Sequence, residues 1–249
     1  MGWHLQNCWR EFLNHLRFGL ISWHPRGVAS ACMAYYPDSL RTLPDLRPLY
    51  KRWVRGNRIN NNGDAMRFMA LVLNLRQLQA DDIPGDFAEL GVWKGNSAAI
   101  LAEFAARSGR HLFLFDTFSG FDQRDLKEVD AGHAVLFADT SVGYVQETVG
   151  YPAITTCIPG FFPESLTEEV ASRAFALVHI DCDLYEPMKA GLEFFYTHMP
   201  RGGMMILHDY SSGTWAGATR AIDEFCAATG EFLSLWPDKS GTAIIRKSK

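Results

Sequence analysis

Asp181-Cys182-Asp183 and, further on, His208-Asp209 crowd three carboxylates and an imidazole into two short stretches of a 249-residue chain. Each stretch follows an apolar run, Phe175–Ile180 and residues 203–207, so each falls at the end of an expected strand. Residues two apart on an extended strand face the same way, which would turn Asp181 and Asp183 into one cleft. If the two strands are neighbours, Asp209 and His208 converge there as well. Carboxylates this close repel unless a proton or a metal intervenes. A hard divalent cation such as Mg²⁺ is held by such oxygens. The plain alternative is a set of strand-end caps spread apart in space.

A second group of residues describes a different ligand. Glu89-Leu90-Gly91-Val92-Trp93-Lys94-Gly95-Asn96-Ser97 follows a short apolar run. Its glycines permit close backbone approach, and a helix starting at Ser97 would present free N–H groups. The segment does not match G-x-G-x-x-G, and an acid facing the loop would repel a pyrophosphate. Asp116 ends the next strand, where a carboxylate can accept both hydroxyls of a ribose. Glu89 and Asp116 together suit a cationic, ribose-bearing ligand without phosphates, and S-adenosylmethionine fits that description. Tyr185 and Lys189 have the Y-x-x-x-K spacing of short-chain dehydrogenases, but the glycine-rich phosphate loop is missing and Pro187 interrupts the motif.

The elements that must position these residues alternate. Strands are expected at 87–92, 111–115, 153–158, Phe175–Ile180 and 203–207, with helices at 65–79, 97–107, 187–198 and 218–228. Residues 232–236 and Thr242–Arg246 form a closing pair around Pro237-Asp238-Lys239-Ser240-Gly241. Strands alternating with helices imply a parallel sheet covered on both faces, and the terminal hairpin adds an antiparallel strand. Ligands then bind beyond the carboxyl ends of the strands.

The stretch before residue 64 reads differently. Leu5, Trp9, Phe12, Leu13, Leu16 and Leu20 recur at helical spacing, and three prolines interrupt residues 36–48. Arg41, Arg47, Lys51, Arg52, Arg55 and Arg58 form a basic stretch, read as a solvated face or a contact to the acidic body, with an anionic-ligand or membrane-surface role as the alternative. Asn60-Asn61-Asn62-Gly63 signals a turn and Asp64 a helix cap. The division expected is an N-terminal helical extension or lid, residues 1–63, and a catalytic domain, residues 64–249.

Composition bounds the function classes. With 28 acidic against 24 basic residues the formal charge is −4, which gives no reason to expect nucleic acid as a partner. Seventeen Phe and seven Trp exclude disordered and collagen-like chains. No apolar run approaches a membrane span, and Arg10, Glu11 and Arg17 break any signal-peptide core. Five scattered cysteines argue against a disulfide framework or zinc cage, and a reduced, cytoplasmic protein is expected.

From about Asp64 to Arg246 the chain resembles the macrocin O-methyltransferase (TylF-like) family of class I S-adenosylmethionine-dependent sugar O-methyltransferases. The matching stretches are Ile83-Pro-Gly-Asp86 with Glu89 to Ser97, Asp116-Thr-Phe-Ser-Gly120, and Pro159-Gly-Phe-Phe-Pro-Glu-Ser-Leu166. Ile180-Asp-Cys-Asp-Leu-Tyr-Glu186, Gly202-Gly203, His208-Asp-Tyr210, Trp215-x-Gly217-Ala218 and Ala221-Ile-Asp-Glu-Phe225 complete the set.

The resemblance implies a Rossmann-like α/β fold with a mostly parallel seven-stranded sheet, helices on both faces and a C-terminal antiparallel hairpin. It implies that Glu89, Gly91, Val92 and Ser97 surround the methionine part of the cofactor, with Asp181 close by. Asp116 would hold the ribose with Ser119 nearby, and Gly160 and Phe161 would border the adenine. Asp181 and Asp209 become metal ligands and Asp183 the general base. The family usually carries two acids where this chain has His208-Asp209. An imidazole favours softer ions such as Mn²⁺, Fe²⁺ or Zn²⁺. His208 is therefore expected as a third ligand, as a second-layer residue, or as the base of a metal-free reaction. Tyr185, Tyr210 and Trp215 are expected to shape the mouth for a small-molecule sugar or glycoside, and a homodimer is expected. The rival readings are a metal-independent methyltransferase and a non-catalytic cofactor-binding protein on the same fold.

Overall fold

The computed structural model of the protein describes residues 44–57 and 64–249. The helix expected within residues 5–20 and the Asn60-Asn61-Asn62-Gly63 turn lie outside the described residues, as do Arg41 and Arg58. Helix α1 (Arg47–Gly56) buries Leu49 and Trp53, and the Trp53 ring packs 5.6 Å from Phe68 on α2 (Ala65–Ala80). Of the basic stretch, Arg52 donates to the Ala99 carbonyl of the body at 3.0 Å. Asp64 caps α2 by accepting the Arg67 N–H, as its position at the helix start requires.

The remaining elements alternate between strand and helix, and they include two helices, Val142–Val149 and Glu168–Ala171, that the sequence reading did not place. They are β1 (Asp86–Leu90), α3 (Ala98–Ser108), β2 (Leu112–Asp116), α4 (Val142–Val149), β3 (Thr155–Pro159) and α5 (Glu168–Ala171). After them come β4 (Phe175–Ile180), α6 (Tyr185–Thr197), β5 (Met204–Leu207), α7 (Ala216–Thr229), β6 (Ser234–Trp236) and β7 (Thr242–Arg246). The seven strands are ordered β3-β2-β1-β4-β5-β7-β6. The first five strands are parallel; β7 is antiparallel to both β5 and β6.

Both faces of the sheet are covered. Alternation along the strands sends Phe87, Leu112, Leu114, Leu177 and Ile206 to the face that α1–α4 cover. It sends Leu90, Phe113, Phe115, Val178 and Leu207 to the face under α6 and α7. On that second face Phe115, Phe162, Phe175 and Phe195 pack with centroid separations of 5.2 to 5.8 Å. Burial of each such ring stabilises by about 2–3 kcal/mol. Strand order reverses between β1 and β4, and a crevice opens at such a switch point beyond the strand ends.

Candidate active site

At that crevice the chain must turn sharply without losing contact between strands. Gly91 leaves β1 at φ +84°, and a Cβ there would overlap the carbonyl of Asp181, so only glycine fits. The loop that follows is fixed by Asp116. Its Oδ2 accepts the N–H groups of Val92 at 2.7 Å and Trp93 at 2.8 Å, and its Oδ1 accepts that of Phe118 at 2.7 Å. The carboxylate expected to hold a ribose thus also organises the glycine loop beside it.

The acidic residues meet, though by a different route from the one strand geometry offers. Strand β4 ends at Ile180, and Asp183 adopts φ +64°, so the same-face rule for residues two apart does not apply to Asp181 and Asp183. Asp209 is also left-handed, at φ +61°. Left-handed non-glycine residues cost energy and collect where structure serves chemistry. Asp181, Asp183, His208 and Asp209 all line one cavity of about 320 Å³, the low end of the range for small-molecule sites.

Within it, His208 Nδ1 lies 2.7 Å from Asp181 Oδ1 and 2.6 Å from Asp209 Oδ2. Arg67, reaching in from α2, donates to Asp181 Oδ2 at 2.6 Å. Burial opposes charge on Asp181, but His208 and Arg67 hold its carboxyl well below the usual range. Burial and Arg67 work against a charged imidazole, yet Asp181 and the hydrogen bonds to Asp181 and Asp209 outweigh them and lift His208 to about 10. Asp183 goes the other way. Burial, then the charges of Asp181 and Asp209, push it well above the carboxylate range, and it shares a hydrogen bond with Asp209. Like charges packed this closely retain a proton between them.

The donor set fits a divalent cation. Asp181, His208 and Asp209 each offer one ligand atom, and these atoms lie within 4.8 Å of one another. His208 Nδ1 faces two carboxylate oxygens, and a cation would draw on all three atoms. Two oxygens and one imidazole nitrogen suit borderline ions better than Mg²⁺. The loop geometry at Gly91 and the size of the cavity likewise fit a nucleoside-sized ligand.

Behind the cavity runs a buried polar row. Glu89 and His179 are register partners on β1 and β4, and His179 Nδ1 lies 2.7 Å from Glu89 Oε1. Ser97 Oγ donates to the same oxygen. Glu89 is fully buried, does not line the cavity, and supports the loop through Ser97.

Of the other expected residues, Gly91, Val92, Ser97, Asp116, Gly160, Phe161 and Trp215 line the cavity. Ser119 is exposed and outside it. Tyr185 and Tyr210 turn toward α7, donating to Glu224 at 2.6 Å and Asp223 at 2.7 Å, and do not line it either. Sequence reasoning missed Arg67 and Asp125, both cavity-lining. Arg67 follows its cap Asp64 by three residues, which marks a helix start and nothing more.

Residues 63–231 match the family model of macrocin O-methyltransferase (TylF). The chain belongs to this family. A relative from Streptomyces olivaceus, 8-demethyl-8-(2,3-dimethoxy-alpha-L-rhamnosyl)-tetracenomycin-C 4'-O-methyltransferase, is 28% identical over 53% of this chain and 55% of its own. The mycinamicin III 3''-O-methyltransferase of Micromonospora griseorubida is 26% identical over 52% of this chain and 57% of its own. The chain therefore spans about half the length of the curated relatives it matches. The O-methyltransferase NovP shares the fold, with a TM-score of 0.63 at 22% identity over 74% of this chain and 81% of that one. No helix among the described residues is long and apolar enough to cross a membrane.

Proposed function

We propose that this TylF-family chain moves a methyl group from S-adenosylmethionine to a hydroxyl of a sugar or glycosylated natural product, with Asp183 as general base beside a divalent cation. The observation that carries this reading is the meeting of Asp181, Asp183, His208 and Asp209 in the cavity that loop 91–97 also lines. The glycoside acceptor draws support from the relatives, one named for O-methylation of a rhamnosyl-tetracenomycin and the other for O-methylation of mycinamicin III.

A sugar hydroxyl is a poor nucleophile because its pKa lies far above neutral. When bound, S-adenosylmethionine supplies an electrophilic sulfonium methyl, and a divalent cation lowers the pKa of an adjacent hydroxyl by several units. The chain supplies the rest. Gly91, Val92 and Ser97 cradle the methionine part, with Glu89 bracing Ser97 from behind. Asp116 and, at the rim, Ser119 serve the ribose, and Gly160 and Phe161 the adenine. Asp181, His208 and Asp209 are the cation's donors. Asp183, whose proton affinity is raised by burial and by the charges of Asp181 and Asp209, takes the hydroxyl proton in its ionised form as the nucleophile advances. Trp215 flanks the acceptor. Tyr185 and Tyr210 brace α7 around it. Orientation of the hydroxyl toward the methyl provides much of the rate.

One observation favours a second reading, a metal-independent reaction with His208 as base. Among the described residues His208 Nε2 is buried without a hydrogen-bond partner, and Arg67 already pairs with Asp181; this reading requires the imidazole first to give up the proton that Asp181 and Asp209 favour on it. Transfer of labelled methyl from S-adenosylmethionine to a panel of rhamnosides, with and without EDTA, separates the readings. Label on the acceptor that disappears with EDTA and returns with Mn²⁺ or Mg²⁺ is expected. Transfer that survives EDTA favours His208, and cofactor binding with no transfer favours a binding protein.

Residues 1–63 complete the proposal as an N-terminal extension that closes over the cleft. Trp53 and Asn57 of its C-terminal part line the cavity, which supports a lid role. A homodimer formed through this extension, and a reducing, cytoplasmic setting suited to the unpaired Cys157, Cys182 and Cys226, belong to the same proposal. Gel filtration of a chain lacking residues 1–43 tests the dimer.

A further inference from the structure

Asp125 lies on the segment between β2 and α4, away from every motif that marks the family site. It is 6% exposed and lines the same cavity as Asp183, Leu184 and Trp215. Its backbone is pinned in a tight turn, with its N–H donating to Asp122 O at 3.1 Å and its carbonyl accepting from Lys127 N at 2.9 Å. Its carboxylate has no hydrogen bond or ion pair among the described residues. The nearby cations are engaged elsewhere: Arg124 with Asp122 and Glu164, Lys127 with Glu186. A buried carboxylate without donors is costly, and native structures normally satisfy such groups. Asp125 lines the cavity, where its donors are water or a ligand that displaces that water.

We propose that Asp125 is an acceptor-binding residue whose carboxylate receives the hydroxyl adjacent to the one methylated, selecting sugars with two neighbouring free hydroxyls. This rests on the glycoside-methylating function proposed above. The cofactor's expected contacts, at loop 91–97, Asp116 and Gly160-Phe161, do not include this turn, and Asp125 lines the same cavity as the base Asp183. A carboxylate offers about four acceptor sites, and a hydroxyl next to the reacting one is a donor within reach of it. Burial, then the charges of Asp122 and Glu186, lift Asp125 to about 6, which leaves it ionised and accepting at neutral pH.

Steady-state kinetics with p-nitrophenyl α-L-rhamnopyranoside and its monodeoxy analogues tests the assignment in wild type, Asp125→Asn and Asp125→Ala. S-adenosylhomocysteine binding is measured alongside by calorimetry. Both variants should bind S-adenosylhomocysteine as wild type does and raise KM for the parent rhamnoside about tenfold or more, with a much smaller effect on kcat. The KM defect should vanish for the one deoxy analogue that lacks the contacted hydroxyl. An equal defect on every analogue, lost S-adenosylhomocysteine affinity, or no change in KM overturns the assignment. If wild type transfers no methyl to any rhamnoside, the functional reading fails by itself. Binding alone then decides Asp125: rhamnoside binding seen by NMR and weakened in Asp125→Ala supports it, and undiminished or absent binding overturns it.

Discussion

His208 stands where the family resemblance implies an acid, and its Nδ1 faces both Asp181 Oδ1 and Asp209 Oδ2. Lifted to about 10, that imidazole is protonated at pH 7, so a cation must displace the proton to reach Nδ1. Metal affinity should therefore rise with pH, and binding should release a proton, measured by calorimetry in buffers of different ionisation enthalpy. Binding without proton release would place the ion elsewhere. Asp125 gives a second prediction. Its folded-state pKa of about 6 exceeds the unfolded value of 3.8, so its ionisation destabilises the fold as pH rises through that interval. Asp122 and Glu186 oppose its charge, and Lys127 and Arg124 only partly offset them. Asp125→Asn should then stabilise the protein by about 1–2 kcal/mol at pH 7–8, a gain that shrinks as pH falls through 6 toward 4, read from melting temperatures. Asp181, Asp183 and Asp209 were legible in the sequence because each follows an apolar run of strand length. Arg67 and Asp125 were not, since nothing local distinguishes a cavity-facing side chain on a helix or an irregular loop from a solvated one.

The elements were read from apolar periodicity, which fixed β4 and β7 to the residue and the other strands to within two. Helix α4 escaped because Gly143 falls in its first turn and only Val145 and Val149 are buried, so it carries little pattern. Helix α6 begins at Tyr185, two residues before the expected start. Pro187 is tolerated in its first turn, and the Tyr185 N–H is accepted by Asp130, a residue far away in sequence. A cap supplied from a distant loop leaves no local signal. Tyr185 and Tyr210 illustrate the same limit, for their phenols are drawn to α7 by Glu224 and Asp223. The β1–α3 connection allows a sharper test. Gly91→Ala places a Cβ at φ +84° against the Asp181 carbonyl. It should cost more than about 1 kcal/mol in urea unfolding and weaken S-adenosylhomocysteine binding. Unchanged stability and binding would mean that β1 and β4 do not approach as closely as described.

At the scale of the molecule, strand order β3-β2-β1-β4-β5 does what no single motif can. It sets β1 beside β4 and β4 beside β5, so glycine loop, acidic triplet and His208-Asp209 open into one crevice at the switch point. The sequence implied the parallel sheet and its closing hairpin, through the alternation of strands and helices and through the TylF resemblance, but not the order of the strands. It did not imply that α1, assigned to the extension, would bury Leu49 and Trp53 in the core under the sheet and line the cavity, because a short amphipathic helix does not reveal its partner. The central claim is that this crevice transfers a methyl group with Asp183 as base. Single-turnover transfer from labelled S-adenosylmethionine to a rhamnoside, comparing wild type with Asp183→Asn, tests it most directly. The account predicts that the variant binds S-adenosylhomocysteine normally and transfers about 10²–10⁴-fold more slowly. Wild-type transfer rates in Asp183→Asn would contradict it.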